Sequence, residues 1–324
     1  MIRIIKKELN LVDKPCLIGL PGAPDGGTSG VIVFEKDTPE PLAFIKIFRD
    51  RNDERLKREA ELLKLLVSKR NSIYGNLPEY LFSHSNLTAG FLGQTLVPGD
   101  PLIIKEDGDY FCKEDFENKL AKICNFLVSL AKANNNNNSP SFRPINLEID
   151  LNLIEDGEYV ADIVNNKQVI EHGDFVQHNI LIDNGTLGVI DWSDCNLRGT
   201  PLFDYYNFVL NAFFRLRRSS HSSDFLSLFK YAFFEDNHFS HLIREKSHLY
   251  LDELGIKKRA ANPLFTLFIE SYWRRERDKI KKAQLEGYIP SYLYKLNYKN
   301  ADPSRGIFGV LKEFINQNQM QSIL

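Results

Sequence analysis

Residues 172–192 read HGDFVQHNILIDNGTLGVIDW, and three of their side chains are of the types that handle a metal and a phosphate. Asp174 and Asn179 stand on the approach to a turn signal, Asp183-Asn184-Gly185, and Asp191 follows an apolar run on its far side. Folding alone asks for no such trio. Phosphoryl transfer does: it needs a base or orienting group for the attacking hydroxyl, one or two Mg²⁺ ions, and a cradle for the phosphates. Asp174, on the loop entering the hairpin, suits the first role. Asn179 and Asp191 suit the second, because a shared divalent cation needs oxygen donors converging from one side. Taken singly, each Asp reads equally well as a turn or capping residue, and His172 as a hydrogen-bonded core residue. The combination carries the signal.

Two hairpin registers fit these residues. With Asn184-Gly185 as a two-residue turn, Asp191 falls opposite His178 and Asn179 faces away from it. With Asp183-Asn184-Gly185 as a three-residue loop and Gly185 left-handed, Asp191 is level with Gln177, and Asn179 shares its face. Convergence on one cation predicts the second register.

The elements that must carry these groups can be read around them. PCLIGL (15–20), GVIVFE (30–35) and PLAFIKIF (41–48) are apolar runs bounded by Gly, Pro and Asp, as strands are. NDERLKREAELLKLLVSKR (52–70) is an amphipathic helix with Asp53 as N-cap and Leu56, Leu62, Leu63, Leu66 and Val67 on one stripe. LPEYLF and GFLGQTLV add two strands, and Pro98-Gly99 ends the second. After that EDFENKLAKICNFLVSLAKA (114–133) is a strong helix, followed by the low-complexity run Asn134–Asn138 and a weakly patterned stretch, 139–170. From Pro201 onward aromatic-rich helices dominate, such as LFDYYNFVLNAFFRLRR and PLFTLFIESYWRRERDKIKKAQ. The expected division is 1–98, a nucleotide-binding sheet with one helix, and 99–324, the catalytic hairpin and a helical acceptor-binding region.

At this point HGDFVQHNILIDNGTLGVIDWSDCNLRGTPLFDYYNF resembles the signature of the aminoglycoside phosphotransferase and choline kinase family, distant relatives of protein kinases. That pattern runs HGDxxxxN, a hairpin, an apolar strand ending in Asp-Trp or Asp-Phe, then GxPxxD. The resemblance implies an α+β, bilobal, protein-kinase-like fold, with a small antiparallel N-terminal sheet and a mainly helical C-terminal lobe. It implies Asp174 as catalytic base and Asn179 and Asp191 as Mg²⁺ ligands. His172 would brace the catalytic loop and Asp204 would hold it from a helix. In the smaller lobe Lys46, charged within an apolar strand, would reach the nucleotide phosphates and pair with a helix Glu. Glu59 lies nearer the apolar stripe than Glu61 and is the expected partner. DGGTSGV (25–31) would cover the phosphates through Gly27, Thr28 and Ser29, although it lacks GxGxxG and reads equally as a hairpin turn. Backbone groups of about Thr95 to Val97 would meet a purine edge, which leaves ATP and GTP both possible as donor.

Composition bounds the rest. The 324 residues are 43% hydrophobic and 26% charged with net charge −2, which points to neither nucleic acid nor membrane. MIRIIKKELN lacks the continuous apolar stretch and small-residue cleavage site of a leader, and no run reaches a membrane span. Cys16, Cys112, Cys124 and Cys195 form no CxxC pair, so a reduced, cytoplasmic setting is expected. Residues 1–194 carry 21 Lys+Arg against 30 Asp+Glu, and residues 195–324 carry 20 against 13. An acceptor wall built from the basic half, with Arg215, Arg217, Arg218, Arg274, Arg275 and Arg277, would suit a neutral or anionic small molecule better than a polycation. The alternative reading of those arginines is a solvated helix face. Phe203, Tyr205, Tyr206, Phe208, Tyr272 and Trp273 read as core, though a choline cage uses the same residue types. Three functions compete: a Mg·ATP-dependent kinase for a sugar or glycan component, a choline, ethanolamine or aminoglycoside kinase, and a catalytically silent scaffold.

Overall fold

The computed structural model describes residues 1–20, 28–86, 88–108, 110–134, 156–219, 225–286, 309 and 311–314. Gly27, most of the asparagine run and residues 139–155 lie outside them. The chain is α+β. In chain order its elements are α1 (Ile2–Glu8), β1 (Cys16–Leu20), β2 (Thr28–Phe34), β3 (Pro41–Phe48), α2 (Glu54–Lys69), β4 (Tyr80–Ser85) and β5 (Gly90–Gln94). Short strands β6 (Asp100–Pro101), β7 (Glu106–Asp107) and β8 (Tyr110–Phe111) follow, then α3 (Lys113–Ala133), α4 (Gly157–Asn166) and β9 (Val169–Glu171). The hairpin strands are β10 (Ile180–Asp183) and β11 (Thr186–Val189), succeeded by β12 (Asn196–Gly199). Helices α5 (Phe203–Ser219), α6 (Phe225–Phe233), α7 (His238–Glu253) and α8 (Ala261–Glu286) complete the described chain.

Two compact units result: Met1–Asp100 with Leu181–Cys195, and Pro101–Ile180 with Asn196–Leu324. A division at 98/99 thus differs from the packing for one stretch, because Leu181–Cys195 clusters with the first unit. That unit is built on an antiparallel sheet in the order β1-β2-β3-β5-β4. Alternation along the strands sends Val33, Ala43, Ile45 and Phe91 to one face, where Ile5 of α1 and Phe82 cover them. The anticipated helix forms as α2, and its N-cap Asp53 accepts from the Arg55 N–H at 2.9 Å. Leu56, Leu62, Leu63 and Leu66 are buried as the stripe requires, whereas Val67 is 50% exposed. Val67 sits at the stripe's edge one residue past Leu66, where half of its surface stays in contact with solvent.

The second unit has an aromatic core. Phe111, Phe116, Phe213 and Phe239 meet at centroid separations of 5.2–6.5 Å, mostly edge to face. Phe203, Tyr205, Tyr206 and Phe208 are buried on α5, and the two tyrosine hydroxyls donate to the carbonyls of Ile243 and Ala261. These four are core. Among the described residues no helix is long and apolar enough to cross a membrane.

Candidate active site

Strand β3 buries Lys46 in an otherwise apolar run, and the unit supplies two carboxylates to hold it. Nζ lies 2.6 Å from Glu59 Oε1 on α2 and 2.6 Å from Asp191 Oδ1 just beyond β11. Lys46 is 7% exposed and Glu59 fully buried. Burial pulls the Lys46 pKa down, but the charges of Glu59 and Asp191 outweigh it and the net direction is up. Burial likewise pushes Glu59 above the usual carboxylate range, with Lys46 pulling against it. Glu59 Oε1 also accepts from the Trp192 backbone N–H at 3.3 Å, so one carboxylate oxygen ties β3, α2 and the end of the hairpin together. Trp192 is fully buried and its indole N–H donates to the Val189 carbonyl. Asp191 itself is left-handed at φ 64, a conformation that costs a non-glycine residue about 1–2 kcal/mol. Its Oδ1 also accepts from the Ser193 hydroxyl at 2.9 Å. A strained acid beside a buried lysine is the kind of outlier that functional sites tolerate.

The hairpin takes the other register. Asn184 at φ 47 and Gly185 at φ 82 are both left-handed, which makes a two-residue type I′ turn between Asp183 and Thr186. The expected three-residue loop is therefore corrected. Asparagine followed by glycine is the pair that accepts this turn most readily, and it matches the strand twist. The face argument built on register also lapses. Residues 177–179 form a 3₁₀ turn ahead of β10, and Asp191 has left the ladder, so strand alternation governs neither side chain.

Of the residues expected around the phosphates, Thr28 and Ser29 open β2, paired with Phe48 and Ile47, so they are strand rather than loop residues. A β-branched and a small hydroxyl residue fit a paired strand, and that preference outweighs the turn signal of the neighbouring glycines. Thr95 also departs from expectation. Its N–H donates to the Glu79 carbonyl at 3.0 Å, and its hydroxyl accepts from the Glu79 N–H at 2.8 Å. This backbone donor is already engaged, leaving Leu96 and Val97 of that segment. Val97 packs against Gly188 of β11.

In the second unit the His172–Asp174 loop is held from α5. Asp204 accepts from the His172 N–H at 2.6 Å and the Gly173 N–H at 3.0 Å, one bond on each carboxylate oxygen. The Asp174 N–H turns back to His172 Nδ1 at 3.3 Å, and the imidazole lies edge-on to Phe175. Asn179 points its amide nitrogen at Asp174, 2.9 Å from the carbonyl and 3.0 Å from Oδ2. That leaves Oδ1 as the atom of Asn179 suited to a cation. Asp174 and Asn179 are thus brought together as the spacing suggested.

Beneath this loop lies a second buried acid that sequence reasoning did not single out. Glu171 is 2% exposed and accepts from the Thr200 N–H at 3.3 Å. Gly199 presses on it so closely that a Cβ there would sit 2.2 Å from the Glu171 Cβ. Burial raises the Glu171 pKa, opposed by Arg275 and the Thr200 N–H. Burial, and next the Glu171 charge, push Asp204 up to about 8 against the pull of its two N–H donors and Arg275. A carboxyl raised on folding stabilises most below its unfolded pKa, and that contribution is lost as pH rises through the folded value. Thermal unfolding followed from about pH 5 to about pH 9 is therefore expected to show a falling midpoint. Asp204→Asn should flatten that slope while lowering the midpoint at acidic pH, because one oxygen acceptor is gone. A slope unchanged in the variant would remove Asp204 as its source.

The signal for Glu171 was weak: it follows only two apolar residues in QVIEHG, whereas Lys46 stands inside the apolar run AFIKIF. The basic clusters resolve mostly into local pairs. Arg274 bonds Glu270 and Arg277 bonds Asp278, Arg215 is exposed, and Arg275 lies 5.4 Å from the Tyr272 ring. Side chains of Arg217 and Arg218 fall outside the described set. Among the described residues no group of three or more His, Cys, Asp or Glu stands together as a metal site.

Residues 148–226 match the model of the phosphotransferase enzyme family. No curated protein sequence matches the chain significantly. Solved structures similar to it include the macrolide 2′-phosphotransferase MphH of Brachybacterium faecium, at 13% identity over 91% of this chain and 95% of that one, TM-score 0.46. The GDP and kanamycin complex of APH(2″)-IIIa is similar at 16% identity over 86% and 98%, TM-score 0.43. A putative fructosamine-3-kinase of Haemophilus somnus 129PT is similar at 14% identity over 76% and 96%, TM-score 0.40. The stretch holding the HGD loop, the hairpin and Asp204 is thus matched to the phosphotransferase enzyme family, the kinship that its motif suggests.

Proposed function

We propose that the chain transfers the γ-phosphoryl group of ATP to a hydroxyl of a small molecule, with a sugar or glycan component as the favoured acceptor class. The observation that carries this reading is Lys46, buried and shared between Glu59 and Asp191. A core gains nothing from a buried cation with two carboxylates that apolar packing would not give it, whereas a triphosphate site needs that lysine. Asp174 takes the proton of the attacking hydroxyl as its oxygen bonds to the γ-phosphorus. The bond to the bridging oxygen breaks, and the nucleoside diphosphate leaves. Asn179 keeps the Asp174 carboxylate aimed through its amide nitrogen. Asp204 and His172 hold the loop. Thr28 and Ser29 flank the phosphates, and the backbone of Leu96 and Val97 meets the base.

The donor set suits Mg²⁺: Asn179 and Asp191 offer oxygen only, and this ion usually takes one or two carboxylates, several waters and the substrate's phosphates. When bound it would neutralise charge developing on the phosphate oxygens. A silent scaffold is disfavoured because Lys46, Asp174, Asn179 and Asp191 are all retained. Choline, ethanolamine and aminoglycosides remain the alternative acceptors. ATP as donor fits a cytoplasmic location.

Isothermal titration with Mg·ATP is expected to show saturable binding. A screen of pooled sugars, amino alcohols and aminoglycosides, read by mass spectrometry, should then yield a phosphorylated product. Absence of any nucleotide binding would leave only the scaffold reading.

A further inference from the structure

Glu171 and Asp204 each hold the backbone of the segment that carries the other. Asp204 accepts from the His172 and Gly173 N–H groups, which directly follow Glu171. Glu171 Oε2 accepts from the N–H of Thr200, four residues ahead of Asp204. Two buried acids thus close a clasp around three backbone donors. Thr200 lies just past the end of β12, and its N–H goes to this side chain instead of to a strand. The pairing of β9 with β12 is itself irregular, shifting between Glu171–Asn196 and Val169–Gly199. Gly199 leaves room for the acid, since a Cβ there would stand 2.7 Å from Oε2. Arg275 of α8 draws down the pKa of both carboxyls, so one cation serves the pair.

The segment between the two contacts is strained. Leu202 is left-handed at φ 68, a conformation that a non-glycine residue rarely adopts. It is buried, its carbonyl accepts from the Tyr206 N–H at 2.9 Å, and its backbone is bonded to the Tyr250 phenol. Such a residue persists where its surroundings over-determine it, and strain of this kind gathers where it has a use. Here the 200–204 turn delivers Asp204 to the loop of Asp174, and Glu171 grips its first residue. A buried acid costs more than an apolar side chain of its size unless the bond it makes is needed.

We propose that Glu171 is a positioning residue for phosphoryl transfer: by holding the Thr200 N–H it keeps the 200–204 turn in its left-handed form, and so keeps Asp204 under the loop that carries Asp174. The consequence for transfer rests on the phosphotransferase reading; the clasp does not.

Glu171→Asp and Glu171→Gln separate the bond from the charge. Aspartate stays acidic but is a methylene too short for Thr200, whereas glutamine loses the charge and keeps an oxygen at full length. Glu171→Asp should speed hydrogen exchange at the His172 and Gly173 amides about tenfold, read by mass spectrometry on the peptide that spans them. It should slow release of inorganic phosphate from Mg·ATP, with water as the acceptor, by about tenfold as well. Calorimetric affinity for Mg·ATP should stay as it was, because Lys46 and its partners belong to the other unit. Glu171→Gln should restore most of both losses. A glutamate that only supports the fold lowers the thermal midpoint of Glu171→Asp and leaves phosphate release by the folded protein unchanged, which overturns the proposal. Equal damage by both variants overturns it too, because the effect then follows the charge and not the Thr200 bond. Should the wild type neither bind Mg·ATP nor release phosphate, the phosphotransferase reading fails, while faster exchange in Glu171→Asp alone still upholds the clasp.

Discussion

Asp174→Asn is expected to lower phosphoryl transfer by about 10²–10⁴-fold while leaving nucleotide affinity as it was. The substitution keeps the size of the side chain and an oxygen for the Asn179 amide, so the loop held by Asp204 should stand unchanged. What disappears is the capacity to accept a proton. Turnover of the acceptor found by the screen, measured beside calorimetric titration of Mg·ATP, separates the two quantities. A variant that turns over at the wild-type rate would strip Asp174 of its role and shift attention to a water or a substrate group as base.

Lys46→Met should damage both folding and nucleotide binding. Methionine fits the volume but leaves Glu59 buried with no cation, and breaking such a pair typically costs about 3–5 kcal/mol. The sign of its pH dependence follows from Glu59, whose pKa burial already raises and whose main counter-charge the substitution removes. A carboxyl with a raised folded pKa favours the fold at low pH and loses that contribution as pH rises. The stability deficit of Lys46→Met should therefore be small in acid and widen towards neutral and alkaline pH. Adding Glu59→Leu should recover most of the stability and none of the nucleotide binding. Chemical denaturation at two pH values with both variants checks this, and an acid-sensitive deficit would contradict the assignment.

The sequence revealed elements where one local rule acted without competition. PLAFIKIF became β3 over Pro41–Phe48, and Asp53 capped α2, because apolar runs and caps are decided within a few residues. Helix α1 went unread: in seven residues with two lysines in its last turn, Ile5 alone is buried, which is too little for periodicity to register. The hairpin was recognised but its register was not. The choice was made from where two ligands ought to converge, whereas the turn obeyed the backbone preference of Asn184-Gly185. At the site, Asp174 beside Asn179 and Lys46 beside Glu59 were legible as charged or polar groups at informative spacings. Glu171 follows only two apolar residues and belongs to no motif. Its meaning came only from neighbours distant in the chain, Gly199 and Thr200.

The first unit is assembled from two separate stretches, and this bears on its biogenesis. A ribosome adding roughly 5–20 residues per second releases Met1–Asp100 several seconds before Leu181–Cys195. Through that interval the nascent sheet has Lys46 beside a single acid, and Asn76 lacks the Leu187 and Val189 backbone groups that later pair with it. The early product is a waiting intermediate with an unfinished edge, exposed to chaperones and proteases. Expressing residues 1–100 alone should accordingly give a poorly soluble fragment, and adding a peptide spanning 181–195 in trans is the natural way to rescue it.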